Sequence, residues 1–270
     1  FSEVDIENAA FNGSVGITAR PGQTWMVKLL FSSGFRSPNV DDYGKVFSKN
    51  EKVVVPNDNL KPEFAYNVDF GIDKSFLHDK IKLAANVFYT LLNDAIVRKE
   101  YALNGNDSMM IDGEMNLIQA NVNANRAHLY GYGCGFTISP TTKLSFIANY
   151  NYTFGYDDTN AEPLGHIPPA FGKVSVKYQG AKWNCVLFSD FNGEKPISLY
   201  NLSGVDNESE ATDDGTPAWF TLNLSNSLMI SDKLELQFGV FNILDQHYKP
   251  FASGISGPGR NFTATLRASI

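Results

Sequence analysis

Several segments of the chain alternate between apolar and polar residues. Between residues 143 and 154, Leu144 and Phe146 fall on one side of an extended chain, and Ser145 and Asn149 fall on the other. The same two-residue repeat occurs in three further segments, 66–73, 173–178 and 261–270. This period indicates β-strands with one apolar and one polar face. The runs reach about ten residues, whereas strands of soluble proteins average about five or six.

The pattern predicts eleven strands, at 10–20, 24–35, 64–75, 80–98, 125–139, 143–154, 171–179, 182–191, 219–230, 233–245 and 260–270. Long polar loops separate successive strand pairs, at 37–61, 99–125, 155–169, 192–217 and 246–259. Very short turns join the strands within each pair. Short turns on one side and long loops on the other are typical of a transmembrane antiparallel β-barrel, an all-β fold of the outer membrane.

Three features favour a membrane barrel over a soluble β-sandwich or surface adhesin, which would also show alternation. The predicted strands are long, the two kinds of connection alternate in order, and Trp25, Trp183 and Trp219 lie at strand ends. Tryptophans at strand ends are typical of the aromatic girdles at the membrane interfaces. Because bacterial single-chain barrels have even numbers of strands, eleven indicates a missed strand or part of a larger barrel.

Composition and charge change which functions are expected. The formal net charge is -7 and no basic patch occurs, so nucleic acid is not an expected partner. No Ser/His/Asp set is present, and the 4 histidines lack metal-ligand spacing. No catalytic residue, metal or cofactor is therefore predicted. The acidic segment 206–214 is expected to be a solvated loop face, with a cation site as the alternative.

Four short motifs stand at loop boundaries, at 33–39 (SGFRSPN), 56–63 (PNDNLKPE), 239–248 (GVFNILDQHY) and 257–262 (GPGRNF). Their order and spacing resemble the C-terminal half of the barrel of a TonB-dependent outer-membrane receptor. The motif residues are Phe35, Arg36, Pro38, Asn59, Leu60, Pro62, Asn242, Asp245, Gly259 and Arg260. Each also has a structural interpretation, because proline, glycine and asparagine fix how a chain leaves a strand.

The resemblance implies a fold and a set of partners. Receptors of this family close about twenty-two strands around an N-terminal plug, so residues 1–270 would form the C-terminal part of the barrel, without the plug. The expected location is the outer membrane of a Gram-negative bacterium. The expected partners are outer-membrane lipid, the N-terminal barrel strands and plug of the same receptor, a TonB-type energy-coupling protein acting through the plug, and a small-molecule ligand.

The function implied by the resemblance is active transport of a scarce, large solute of the ferric siderophore, corrinoid or haem type. Arg36, Tyr43, Tyr156 and His247 are the predicted ligand-binding residues. Haem receptors of this family carry a histidine between the first two motifs, and residues 39–56 contain none. The alternative is a stand-alone barrel of about twelve strands, a passive pore or lipid-active enzyme, which needs an extra strand near residues 1–7.

Overall fold

A computed structural model describes residues 10–44, 46–49, 51–201 and 203–269. Eleven long strands form one sheet in which each strand pairs antiparallel with its neighbours in the chain, as the sequence predicts. They are β1 (Gly13–Gly22), β2 (Trp25–Arg36), β3 (Glu63–Phe76), β4 (Ile81–Glu100), β5 (Glu114–Ile138), β6 (Leu144–Asp157), β7 (Phe171–Gln179), β8 (Trp183–Asn192), β9 (Trp219–Ser231), β10 (Leu234–Phe241) and β11 (Asn261–Ala268). Within the described ranges, no helix has the length and apolar character needed to cross a membrane.

The strand register keeps the apolar and polar residues on separate faces of this wall. On the apolar face, Phe146 of β6 lies between Ile138 of β5 and Val176 of β7. Phe146 is 39% exposed although it lies in mid-sheet. On the polar face, ion pairs join adjacent strands, Lys28 to Asp73 at 3.2 Å and Lys173 to Asp190 at 3.0 Å. The apolar face therefore needs another apolar phase to cover it, as lipid would.

Tight turns occupy one end of the wall. The turn after β3 is made possible by three consecutive residues with positive φ, Leu77, His78 and Asp79. Trp25 and Trp183 begin the strands that follow two of the turns, and they are 39% and 46% exposed. The Trp183 indole donates to Asn226 Oδ1 at 3.3 Å. The predicted placement of these two tryptophans at the short-turn end is thus confirmed.

Two predicted boundaries are wrong. The segment 99–125 was expected to be a loop, but β4 continues to Glu100 and β5 begins at Glu114. The reason is that apolar residues still alternate there, and the short strand Ser108–Ile111 pairs with the start of β5. The strand predicted at 233–245 ends at Phe241, because the next residue, Asn242, has φ of 49° and turns the chain away. The predicted end of the last strand, Ile270, lies outside the described residues.

The opposite end of the wall carries long connections that form a folded layer, here called the loop layer (residues 37–62, 95–127, 157–170, 193–218 and 242–260). It contains helix α1 (Val40–Gly44) and two 3-10 turns, Ile197–Leu199 and Glu208–Glu210. Its short strands are Phe47–Lys49, Lys52–Val54, Ser108–Ile111, Glu162–Pro163, Lys195–Pro196 and Gly215–Thr216. Lys52–Val54 pairs in parallel with β5 at Leu117–Gln119, so the loop after β2 extends the main sheet.

The buried apolar side chains of the described residues lie in this loop layer. One cluster contains Val53, Val55, Ile118 and Ala120, each at most 6% exposed. A second cluster contains Ala95, Ala124, Ala127 and Leu164, each at most 8% exposed. The loops therefore pack around small cores of their own.

Candidate functional site

The first motif fixes how the chain leaves β2. The Arg36 guanidinium donates to Glu63 at 2.7 Å and to Asp42 at 2.6 Å. Asp42 also accepts the Asn39 backbone N–H at 2.9 Å, and Asn39 Oδ1 accepts that of Asp42 at 2.9 Å, which caps α1 reciprocally. These contacts give Arg36, a predicted ligand-binding residue, a structural role.

The second motif ties the same loop to β5. Tyr43 donates its hydroxyl to the Leu60 carbonyl at 2.9 Å, and Leu60 is 6% exposed. Asn57 Nδ2 donates to the Asn121 carbonyl of β5 at 2.8 Å. The Asn59 backbone N–H donates to Asn57 Oδ1 at 3.1 Å, a local turn. Pro38, at the start of this loop, is buried. The rings of Phe35 and Phe64 stack on each other at the two ends of the loop, and Phe64 lies two residues after the motif residue Pro62.

The last two motifs close the loop between β10 and β11. Asn242, 3% exposed, donates to the carbonyls of Gln246 at 2.8 Å and Pro258 at 3.0 Å. Asp245 Oδ1 accepts the Arg260 backbone N–H at 2.8 Å. A side chain at Gly259 would place its Cβ 3.0 Å from that same carboxylate oxygen, so glycine leaves room for the turn.

A buried ion pair joins three connections of the loop layer. Asp206 is fully buried and accepts the backbone N–H groups of His166 at 2.6 Å and Asn201 at 2.9 Å. Lys195 Nζ lies 3.8 Å from Asp206 and donates to the Ile167 carbonyl. It also lies 4.2 Å from the centre of the Phe251 ring. Burial lowers the pKa of Lys195, while Asp206 opposes that shift.

The expectation that the acidic segment 206–214 is a solvated loop face is wrong for its first two carboxylates. Asp206 is fully buried, and Glu208 is half-buried and pairs with Lys52 at 3.2 Å. The physical reason is that the His166 backbone N–H and Lys52, both from other connections, bind these carboxylates. Glu210 is exposed, as expected, and pairs with Lys249 at 2.8 Å. Among the described residues, no group of His, Cys, Asp or Glu side chains is arranged to hold a metal ion.

A pocket of about 260 Å³ opens between the connections at 193–218 and 242–260, lined by Tyr200, Trp219, His247, Tyr248, Lys249 and Pro250 among others. The rings of Trp219 and Tyr248 lie 4.4 Å apart. His247, predicted from sequence as a ligand residue, is exposed here, and its Nε2 lies 3.0 Å from Ser256 Oγ. Aromatic walls with a few polar groups suit a ligand-binding pocket.

The four predicted ligand residues do not meet in one place. Tyr156 lies on the same face as Phe154, and their rings are 6.2 Å apart. It also packs against His128, whose Nδ1 lies 2.9 Å from Asp158. Arg36 ends β2, Tyr43 lies in the connection after β2, and His247 lies in the connection after β10. Sequence analysis missed Lys195, Tyr200 and Trp219 as site residues, because no motif or spacing links residues that only loop packing brings together. Tyr248 ends the third motif, but its place beside Trp219 was not predicted.

Comparisons with known proteins agree with this architecture. The family model described as "TonB dependent receptor-like, beta-barrel" matches residues 2–243. Two proteins of Haemophilus influenzae are similar to the chain: a probable hemoglobin and hemoglobin-haptoglobin-binding protein 4, 24% identical over 90% of this chain, and hemoglobin and hemoglobin-haptoglobin-binding protein A, 25% identical over 89%. The chain spans 25% and 23% of those relatives.

Solved structures share the fold. The copper transporter OprC superposes with a TM-score of 0.76 at 17% identity, covering 96% of this chain and 39% of that chain. The siderophore receptor PirA from Acinetobacter baumannii gives a TM-score of 0.74 at 17% identity, covering 96% of this chain and 41% of that chain. Identities this low establish the fold alone.

Proposed function

Because the chain belongs to the family of TonB-dependent receptor-like β-barrels, outer-membrane proteins of Gram-negative bacteria, we propose that it is the C-terminal part of a receptor for active uptake of an iron-containing solute. The missing parts would be the N-terminal barrel strands and a plug. The observation that carries the proposal is the wall of eleven strands whose long connections fold into a layer with a pocket. The wall alone would serve a pore, whereas a folded layer with a pocket supports a receptor that binds its solute at the loops.

The energy for uptake would come from elsewhere in the cell. The outer membrane has no ATP, and a barrel of about twenty-two strands would leak unless a plug filled it. A TonB-type protein pulling on the plug would couple solute entry to the inner membrane. The polar face of the wall, with pairs such as Lys28–Asp73 and Lys173–Asp190, would then face the plug. The apolar face would contact lipid.

The two relatives found by sequence similarity favour an iron-containing solute, whereas the solved structures include both a siderophore receptor and a copper transporter. The two curated relatives are named for binding hemoglobin and hemoglobin-haptoglobin, and one solved neighbour is a siderophore receptor. Haem or a ferric siderophore is accordingly the solute we propose. The absence of histidine from residues 39–56 places any haem-coordinating histidine of the receptor outside that segment.

Growth under iron restriction tests the proposal. The complete receptor is expressed in a strain without other iron receptors, and haem, hemoglobin or a ferric siderophore is supplied as sole iron source. We expect growth on one source, lost when the energy-coupling protein is deleted. Growth that persists without energy coupling would favour the passive pore. A variant with disrupted loops but an intact wall, such as Asp206→Asn, should lose uptake while still reaching the outer membrane.

A further inference from the structure

A small cavity in the loop layer concentrates positive charge. It lies between the connections after β2 and β8, is partly open to the surface, has a volume of about 30 Å³, and is lined by Phe47, Lys49, Lys52, Arg98, Ser203 and Glu208 among others. One water-sized atom needs roughly 10–15 Å³, so about two such atoms fit. Three lining side chains are cationic and one is a carboxylate, which leaves a formal excess of two positive charges.

Arg98 is the cation whose charge is least offset. Its Nε is buried and has no hydrogen-bond partner. Among the described residues no carboxylate lies within ion-pair distance of Arg98, and the Phe47 ring lies 5.1 Å from the guanidinium carbon. Burial lowers the pKa of Arg98, because the charged guanidinium loses contact with water. A half-buried cation without an anionic partner is unfavourable, and a bound anion would relieve that cost.

The two lysines leave this excess in place. Lys52 Nζ lies 3.2 Å from Glu208, so this carboxylate offsets one charge. Lys49 Nζ donates at 2.8 Å to Asn207 Oδ1, which carries no charge. The charge of Lys49 also acts on the next carboxylate along the chain, Glu210, but Glu210 forms its ion pair with Lys249. An anion that enters the cavity would thus meet Arg98 and Lys49.

We propose that this cavity is an anion site that takes a single carboxylate group. The cavity is open on one side, so the two oxygens of a carboxylate could enter it while the rest of the molecule projects outward. A guanidinium offers paired N–H donors of matching geometry. A carboxylate bound here would link the connection after β2 to that after β8. The carboxylate would belong to the transported solute if the uptake function proposed above holds, whereas the anion site itself does not depend on that function.

Bromide locates the site directly. Crystals of the complete receptor grown in sodium bromide should give an anomalous peak beside Arg98, and the peak should disappear in Arg98→Gln. Lys61→Gln removes an exposed lysine of the same loop and should leave the peak unchanged. Because Arg98→Gln lies in a packed region, Lys49→Gln serves as a second variant and should weaken the peak. A cavity that holds only water, or a peak that survives in Arg98→Gln, would overturn the site.

Acetate and acetamide separate charge from shape. Acetate should raise the unfolding temperature of the receptor in a saturable way, and acetamide, its neutral counterpart of nearly equal size, should not. Arg98→Gln should weaken apparent acetate binding on the order of tenfold, as expected for one lost charge-assisted contact. Equal responses to both compounds would overturn the anion site. If the unmodified receptor binds acetate but does not take up iron, the transport proposal fails and the anion site stands.

Discussion

The wall and the loop layer are built from the same chain but follow different physical rules. In the wall, large apolar side chains such as Phe146 and Phe238 remain 39% and 43% exposed. In the loop layer, Val53 and Ile118 are each 1% exposed. The wall has an apolar face that only an external apolar phase can cover, while the loops carry their own small cores. The membrane therefore stabilises one region, and internal packing stabilises the other.

Buried charge separates the two regions as well. The wall pairs Lys28–Asp73 and Lys173–Asp190 are between 38% and 50% exposed. In the loop layer, Lys195 and Asp206 are 5% and 0% exposed. Exposed pairs contribute little to stability, whereas removing one partner of a buried pair is costly. The loop layer should accordingly be the region more sensitive to single charge changes.

The largest effect is expected at the two edges of the wall. Each unpaired backbone group costs several kcal/mol in lipid, so β1 and β11 should pair with strands outside this chain in the complete receptor. Gln237 and Thr265 are opposite each other in β10 and β11. Cysteines at these two positions should cross-link in cells, which gives a positive control for cross-links between β11 and a strand outside this chain. A structure in which β11 pairs directly with β1 would support the smaller pore instead.

Removing the buried carboxylate should unfold the loop layer but not the wall. Asp206→Asn leaves Lys195 buried without its counter-charge, and we expect a local loss of about 3–5 kcal/mol. Hydrogen exchange should accelerate in 157–170 and 193–218 while β1–β3 stay protected. Asp213→Asn changes an exposed carboxylate of the same connection and should have no such effect. Equal acceleration in the wall would refute the independence of the two regions.

A charge on the apolar face should destabilise the wall by a comparable or slightly smaller amount. Phe146→Arg should cost about 2–4 kcal/mol near the bilayer midplane, measured by folding into lipid bilayers. Ser145→Arg, one residue away on the polar face, should be tolerated. If both variants lose the same stability, the assignment of the two faces is wrong.

The smallest effect concerns an exposed contact within the loop layer. The hydrogen bond and charge of Lys249 lower the pKa of Glu210. A carboxylate with a lowered pKa in the folded state contributes its stabilisation above its ordinary pKa, and the contribution is lost as pH falls through the lowered value. Acidification should therefore release the connection after β10. The fluorescence of Tyr248 and Trp219 should change as the pH falls, and Glu210→Gln should abolish this pH transition. If the transition is unchanged in that variant, another group is responsible for it.

The wall was predictable because each residue's face depends only on its position within a strand. Alternation at 143–154 and 66–73 predicted β6 and β3 to within a few residues. The extension of β5 back to Glu114 was missed although Ile118, Ala120 and Ala124 already alternate with polar residues. There, the expectation of a long loop outweighed the pattern. The motif residues Arg36, Asn242 and Asp245 mark loop boundaries in the sequence, and their contacts in the structure agree with that position.

The sequence by itself thus determined the all-β wall, the order of its strands and the resemblance of its loop boundaries to a receptor family. Only the tertiary structure decided how the loops pack and which of their side chains meet. Lys52 meets Glu208 across 156 positions of sequence, and Lys195 finds its carbonyl partner at Ile167 in another connection. Strand pairing is a local and periodic property, whereas contacts between long loops depend on where each loop is carried by the wall and on which charges must be neutralised there.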